Sequence, residues 1–385
     1  MTNAIAYVTN TGNVKVVDLE LNLLKSIHQP DMQLSWPTFS QNNERILFSG
    51  TRVVPGHNQK DVSALYELNL QDGPIPHLIY TNQVGTGMIS ADTPHYALWS
   101  PDSSKIALIT QTIEGGMTLF ILERDTSNLI QKIDGAPIYF SWSCDSNFLF
   151  AHVSDSYYLV NVISGDINKL GWNSSLCMCP MWSPKENSCL IGIDSENNKQ
   201  NIGMVNIEGD FSSVLDVEGS ATFMWSSSGK HLALSENLDN ERGYYNNTYV
   251  IDTKSFSKEI LTFDPLLCMF WSPKGDQICY VTLSDKGYGS LRFAVSDLEG
   301  NITYLPDFKP SQMQLIAYMF FDQYSISHSP WSADGTRIIF SGLLGYEQDR
   351  TPLPTNEEVS IFQVELTNPS HVQKIDRGVF GTWTR

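Results

Sequence analysis

At 385 residues, with 41% hydrophobic, 11% aromatic and only 17% charged side chains, the chain carries ample material for a large core and the low charge density of a sheet-rich fold. Its 24 Lys and Arg stand against 42 Asp and Glu, a formal net charge of −18, so its surface repels phosphate backbones and no nucleic-acid partner is expected. The most apolar stretch, Met313 to Phe321, is about half the ~18–20 residues of a membrane span, so none is expected either.

Met1 leads directly into the alternating stretch Ala4–Thr9, with no basic segment and long apolar run before it. The expectation is a cytoplasmic protein, with Cys144, Cys177, Cys179, Cys189, Cys268 and Cys279 as free thiols. Ala4–Thr9, Val14–Leu19 and Lys25–Gln29 read as three short strands. They match the second, third and fourth strands of a unit whose first strand is missing.

From there one pattern recurs: a Trp, a Ser, a short polar turn and an alternating apolar run. A degenerate copy begins at Phe39-Ser40. Further copies begin at Trp99-Ser100, Trp142-Ser143, Trp182-Ser183, Trp225-Ser226, Trp271-Ser272 and Trp331-Ser332, and an eighth anchor, Trp383, stands near the chain end. The spacings are 60, 43, 40, 43, 46, 60 and 52 residues. Four short antiparallel strands with tight turns occupy about 40–45 residues, one blade of a propeller. The other strands follow each anchor: Ile106–Thr110, Leu119–Leu122 and Leu129–Ile133 after Trp99, and Leu232–Ser235, Thr248–Ile251 and Lys258–Thr262 after Trp225. Ile278–Thr282, Arg292–Asp297 and Ile302–Leu305 follow Trp271. In the turns, Pro presets φ, Asp or Asn bonds the backbone ahead and Gly accepts positive φ. The tryptophans themselves read as filling between neighbouring blades.

The expected fold is therefore all-β: one closed β-propeller domain over residues 1–385, of eight four-stranded blades, or seven if Trp36 to Gly50 starts no blade. A composite blade closes the ring, with 381–385 pairing beside Ala4–Thr9 in the region 1–30. An open ring would leave strand edges unpaired.

These Trp-Ser-Pro-Asp-Gly-like units resemble the repeats of TolB-like, WD-repeat-like propellers, also found in the propeller domains of prolyl-oligopeptidase-type enzymes. The resemblance spans essentially the whole chain and implies the fold rather than an activity, since such repeats serve scaffolds, peptidase domains and some polysaccharide lyases. The chain has no Gly-x-Ser-x-Gly nucleophile elbow and no Cys-x-x-Cys-His haem site, and an N-terminal domain of the TolB kind is not expected.

If each innermost strand runs from top to bottom, the Trp-Ser turns fall on the bottom face. The long segments Gly50–Ser63, Thr81–Tyr96, Ser235–Asn247, Pro306–Pro330 and Gly342–Glu358 then fall on the top. Elaborated loops on a rigid scaffold carry specificity. The expected ligand-binding residues on or near them are Arg52, His57, Tyr96, Tyr139, Arg242, Tyr244, Tyr245, Tyr324, His328, Tyr346 and Arg350. Between Pro306 and Pro330, the run Tyr318 to Tyr324 is too apolar to lie solvated and reads as a short helix or lid over the channel mouth, or as a self-packed loop. Counting three residues back from each anchor gives Trp36, Tyr96, Tyr139, Cys179, Thr222, Cys268, His328 and Phe380, expected at similar heights near the channel top.

The first functional reading is a non-catalytic scaffold, monomeric, holding a protein, peptide or small-molecule ligand at the top face. The rival is a stand-alone lyase- or hydrolase-like enzyme over the channel, with His95, His328, Asp322 and Glu241 as candidate catalytic groups. In its metal-assisted form, His57, His95 and His328 are the candidate ligands, although no metal or other cofactor is expected. A third reading is a carbohydrate-binding module with aromatic stacking platforms.

Overall fold

The computed structural model describes residues 3–52, 62–73, 75–83, 96–111, 116–175, 179–195, 199–237, 244–286, 289–345 and 353–384. They form eight four-stranded antiparallel sheets arranged as the blades of a closed propeller. The first blade is composite. Phe380–Trp383 lies innermost and pairs antiparallel with Ile5–Val8, Ile5 opposite Trp383 and Val8 opposite Phe380; Val14–Val17 and Leu23–Ile27 follow outward. Thr384 N–H donates to the Ala4 carbonyl at 2.8 Å and the Ala4 N–H donates to Thr384 Oγ1 at 3.0 Å, so both ends of the chain are tied into one ladder.

The second blade begins with Gln33–Phe39, so the Phe39 copy is a true blade start and the count is eight. Its irregularity has a local cause. The register shifts between Ser35 and Thr38, Trp36 sits at φ 54°, and Pro37 has no N–H to give to the ladder. The third to seventh blades begin with Tyr96–Trp99, Ile138–Trp142, Met181–Trp182, Ser220–Trp225 and Leu266–Trp271. These innermost strands are almost wholly buried, whereas outermost strands such as Leu23–Ile27 and Phe211–Glu218 are mostly exposed.

In every Trp-Ser turn the Ser N–H donates to the carbonyl five residues on. In all but the Trp182 copy the Ser hydroxyl accepts from the N–H of that same residue, as in Lys105 to Ser100 at 2.9 Å and Arg337 to Ser332 at 2.9 Å; Ser183 accepts instead from Lys185 and Glu186. In those other copies the third residue after the Ser takes a left-handed backbone: Gly229, Gly275 and Gly335 accept this freely, while Asn43, Ser103 and Ser146 adopt it with a Cβ.

The anchors tie blade to blade. Trp99 Nε1–H donates to the Thr38 carbonyl at 3.1 Å, Trp225 to Met181 at 3.2 Å, Trp271 to Met224 at 2.9 Å and Trp331 to Phe270 at 3.1 Å. Every acceptor is the residue just before the anchor of the preceding blade. Among the described residues, the indole nitrogens of Trp142, Trp182 and Trp383 have no such acceptor.

The eighth blade departs from the sequence expectation. Its innermost strand opens with two residues, Lys309–Pro310, paired with Leu343 and Gly342; it resumes only at Trp331, which bridges to Ile338. The segment between them leaves the sheet as helix α1 (Gln312–Met319) and helix α2 (Phe321–Tyr324). The long Pro306–Pro330 segment is thus an insertion within an innermost strand, not a connection between blades. Gly342 is needed where the chain departs, because a Cβ there would collide with the Lys309 carbonyl. Ser311 starts α1 by accepting from the Gln314 N–H, and its hydroxyl donates to the Val379 carbonyl at 2.5 Å, fastening the insertion to the closing strand.

Candidate functional site

The insertion descends into the central channel and fills it. Gln323 is the clearest contact: its side-chain amide accepts from Phe140 N–H at 2.7 Å and donates to Phe140 C=O at 2.9 Å, reproducing with one side chain the exchange of a neighbouring strand. The Gln323 carbonyl accepts from the Tyr96 hydroxyl at 3.0 Å. Asp322 accepts from the Cys179 N–H at 3.0 Å, and Phe321 meets the Tyr245 ring edge-on. Tyr324 packs on Trp36 with ring centroids 4.7 Å apart and on Tyr96 at 5.1 Å. The insertion thereby touches the second to sixth blades from the inside. It is a plug within the channel rather than a lid over its mouth.

His328 belongs to this plug. Nε2 lies 3.1 Å from the Pro37 carbonyl, which can only accept, so Nε2 carries the proton; Nδ1 then accepts from the Ser327 hydroxyl at 2.6 Å. The imidazole also packs against Trp36 and Phe380. The three-residue count back from Trp331 reaches His328, but the strand position opposite Ser341 is taken by Ser311, whose N–H donates to the Ser341 carbonyl. The residues at this level do converge, around the plug instead of around open space: Trp36, Tyr96 and Phe380 are buried there, and Tyr139 lies buried beside His152.

Burial pushes the Asp322 carboxyl up to about 6, against the backbone N–H bonds from Cys179 and Gln323 that favour its charged form. Burial also raises the Cys179 thiol, helped by Asp322, and the Cys268 thiol, helped by Cys279. Asp322 faces the fifth blade and His328 the second. Among the described residues no three His, Cys, Asp or Glu side chains are grouped to hold a metal.

Of the remaining residues singled out from the sequence, Arg52 is exposed at the top end of its strand, and Tyr244 and Tyr245 are half-buried where Tyr245 bridges to Leu266. His57, His95, Glu241, Arg242, Tyr346 and Arg350 lie outside the described residues.

Described residues form a concavity on the other face, beneath the Trp-Ser turns. It is a bowl of about 540 Å³, floored by Ser325, Ile326 and Ser327 of the plug and walled by Met181, Trp182, Met224, Trp225, Phe270, Trp271, Trp331 and Trp383. A smaller recess of about 140 Å³ lies on the far side of Ile326, against Trp99 and Trp142. No Asp, Glu, His, Lys, Arg or Cys lines either space. Sequence reasoning assigned the tryptophans to blade packing and missed that their edges also rim the channel's lower mouth. The available signal was the apolar residue directly before several anchors: Met181, Met224 and Phe270.

Around this bowl the face is acidic. The turn from third to fourth strand falls on the same face in every blade, and each supplies a carboxylate: Asp18, Asp72, Asp125 and Asp166 on one half of the ring, Asp210, Asp252, Asp297 and Glu365 on the other. Hydrogen bonds within the turns, from Asn22 to Asp18, Ser255 to Asp252 and Asn301 to Asp297, hold those carboxyls below the usual range. Its turns also carry counter-charges: Lys185, Lys230, Lys254 and Lys274 in the fifth to seventh blades, Arg45 in the second, and Lys105, Arg124 and Arg337, which pair with Asp102 at 3.9 Å, Asp125 at 2.5 Å and Glu365 at 3.5 Å.

The fold and this site define an eight-bladed β-propeller with a self-plugged channel. No family model matches the sequence, and no curated protein matches it. Among solved structures, the chain is similar to a eukaryotic initiation factor over 100% of this chain and 99% of that one, at a TM-score of 0.60 and 11% identity. It is similar to the β-propeller domain of the Trilobed protease from Pyrococcus furiosus over 89% and 97% of the two chains, at 0.51 and 11%. TolB from Acinetobacter baumannii aligns over 76% and 75%, at 0.46 and 14%. At such identities the likeness is one of fold: a propeller shared with the propeller domain of that protease.

Proposed function

We propose that the protein is a non-catalytic binding scaffold whose ligand seats in the bowl beneath the Trp-Ser turns. One observation carries this reading: the bowl of about 540 Å³ is mostly apolar, its polar lining is Gln41 with Ser and Thr side chains, and no Asp, Glu, His, Lys, Arg or Cys stands in it. Its size falls within the roughly 300–1,000 Å³ of ordinary ligand sites. The plug closes the channel behind it, so the bowl is a rigid-floored seat and not a passage. His328 and Asp322, the described candidates for an enzymatic centre, are spent on holding the plug against different blades.

The test uses an uncharged apolar dye, Nile red, and the full chain. Saturable dye binding with a blue-shifted emission is expected. Ala333 is half-buried on a turn lining the bowl, so Ala333→Trp should swing an indole over the opening and weaken binding by about tenfold, roughly 1.4 kcal/mol. Unaltered dye binding in this variant, or none in the wild type, would remove the bowl from consideration.

A further inference from the structure

We infer that the occupant of the bowl is the large apolar side chain of a cationic peptide segment, laid across the Trp-Ser face with its Lys or Arg residues over the surrounding carboxylates. This rests on reading the bowl as the binding site.

Two features of different origin select that chemistry. The bowl is walled mainly by indole edges, methionines and Phe270, with uncharged Gln, Ser and Thr side chains between them, so it favours an apolar, uncharged group. It offers no counter-charge to a ligand's ionic group, so any charge on the ligand must be met at the rim and beyond. There the face presents a carboxylate from each of the eight blades, and the first-to-second-strand turns add Glu44, Asp102, Asp145 and Asp334. Turn hydrogen bonds hold the Asp18, Asp252 and Asp297 carboxyls below the usual range.

The same field argues against the other occupants of an apolar seat. A second copy would bring an equally acidic surface against this one, and nucleic acid or an anionic membrane surface would be repelled. A cationic segment gains attraction on approach and loses nothing in the neutral bowl.

The experiment is fluorescence anisotropy with a labelled peptide of the pattern Lys-Lys-Gly-Phe-Leu-Gly-Lys-Lys, alongside Nile red binding to the same sample. Saturable peptide binding is expected, weakening about tenfold between low and high salt as surface charges are screened. Replacing the Phe-Leu pair by Ser-Ser should cost at least about tenfold, as should Ala333→Arg in the protein, with the thermal midpoint unchanged. Peptide and dye should compete. If the dye binds the bowl but the peptide does not, or the Ser-Ser peptide binds equally well, the inference fails while the bowl stands as a site. If neither binds, the functional reading beneath it fails as well.

Discussion

The indole N–H of Trp331 donates to the carbonyl of Phe270, 3.1 Å away and one blade back, and this is the repeating seam of the ring. Four seams carry that bond, while those made by Trp142, Trp182 and Trp383 lack it among the described residues. Trp331→Phe removes the tie, whereas Trp182→Phe removes a buried donor that has no partner. Both lose similar volume, so the difference isolates the hydrogen bond. Trp331→Phe should be the more destabilising by about 1–2 kcal/mol in urea unfolding. Equal losses would show that the seams are held by ring packing alone.

The plug should be pinned by Gln323 more than by any other polar side chain on it. Gln323→Ala strands both the N–H and the C=O of Phe140 in the buried channel. A loss of about 2–4 kcal/mol is expected. Gln323→Met restores volume but not bonding, so it should recover little. Limited proteolysis should cleave within 311–329 sooner in both variants; a wild-type cleavage rate would mean that apolar packing suffices to seat the plug.

Asp322 gives the protein a defined pH response. Its folded-state carboxyl is raised to about 6, above its unfolded value, so the folded state binds the proton more tightly. The stabilisation from that proton is fully present below the unfolded value near 4 and is lost as pH rises through about 6. Asp322→Asn should therefore gain on the order of 1–3 kcal/mol over wild type at pH 7 and little at pH 4. Chemical denaturation across this pH range reads the effect directly. A constant difference between the two proteins would assign the residue no such role.

Ser103 offers a stabilising change. It holds φ 59° where the sixth, seventh and eighth blades place Gly, and its buried hydroxyl has no hydrogen-bond partner. Ser103→Gly relieves the left-handed strain and removes the unpaired hydroxyl, at the cost of a more flexible unfolded chain. A net gain of about 0.5–1.5 kcal/mol is expected. Loss of stability on calorimetry would show that the backbone entropy outweighs both.

The propeller was legible because its information is local and repeated. Each Trp-Ser turn states its own geometry within a few residues, and the odd pieces at the two ends account for each other. Even the Phe39 copy, blurred by the Trp36-Pro37 bulge, fell at the right spacing. The plug was legible only as an apolar run with nowhere to go. Its partners Trp36, Tyr96, Phe140, Cys179 and Tyr245 come from five blades, and no linear spacing brings them together. The strand it interrupts leaves only Lys309–Pro310 as a trace, too short to show alternation. The bowl was hidden for a different reason. Its tryptophans satisfy the blade pattern so completely that a second use left no separate signal.

The plug also sets an order of assembly. Residues 311–329 precede Trp383 in the chain, so during synthesis the core of the channel is delivered before the strand that locks the ring. The ring therefore has a mandrel to wind around. Its inner surface can be sealed from within while the seam that joins Phe380–Trp383 to Ile5–Val8 is still open.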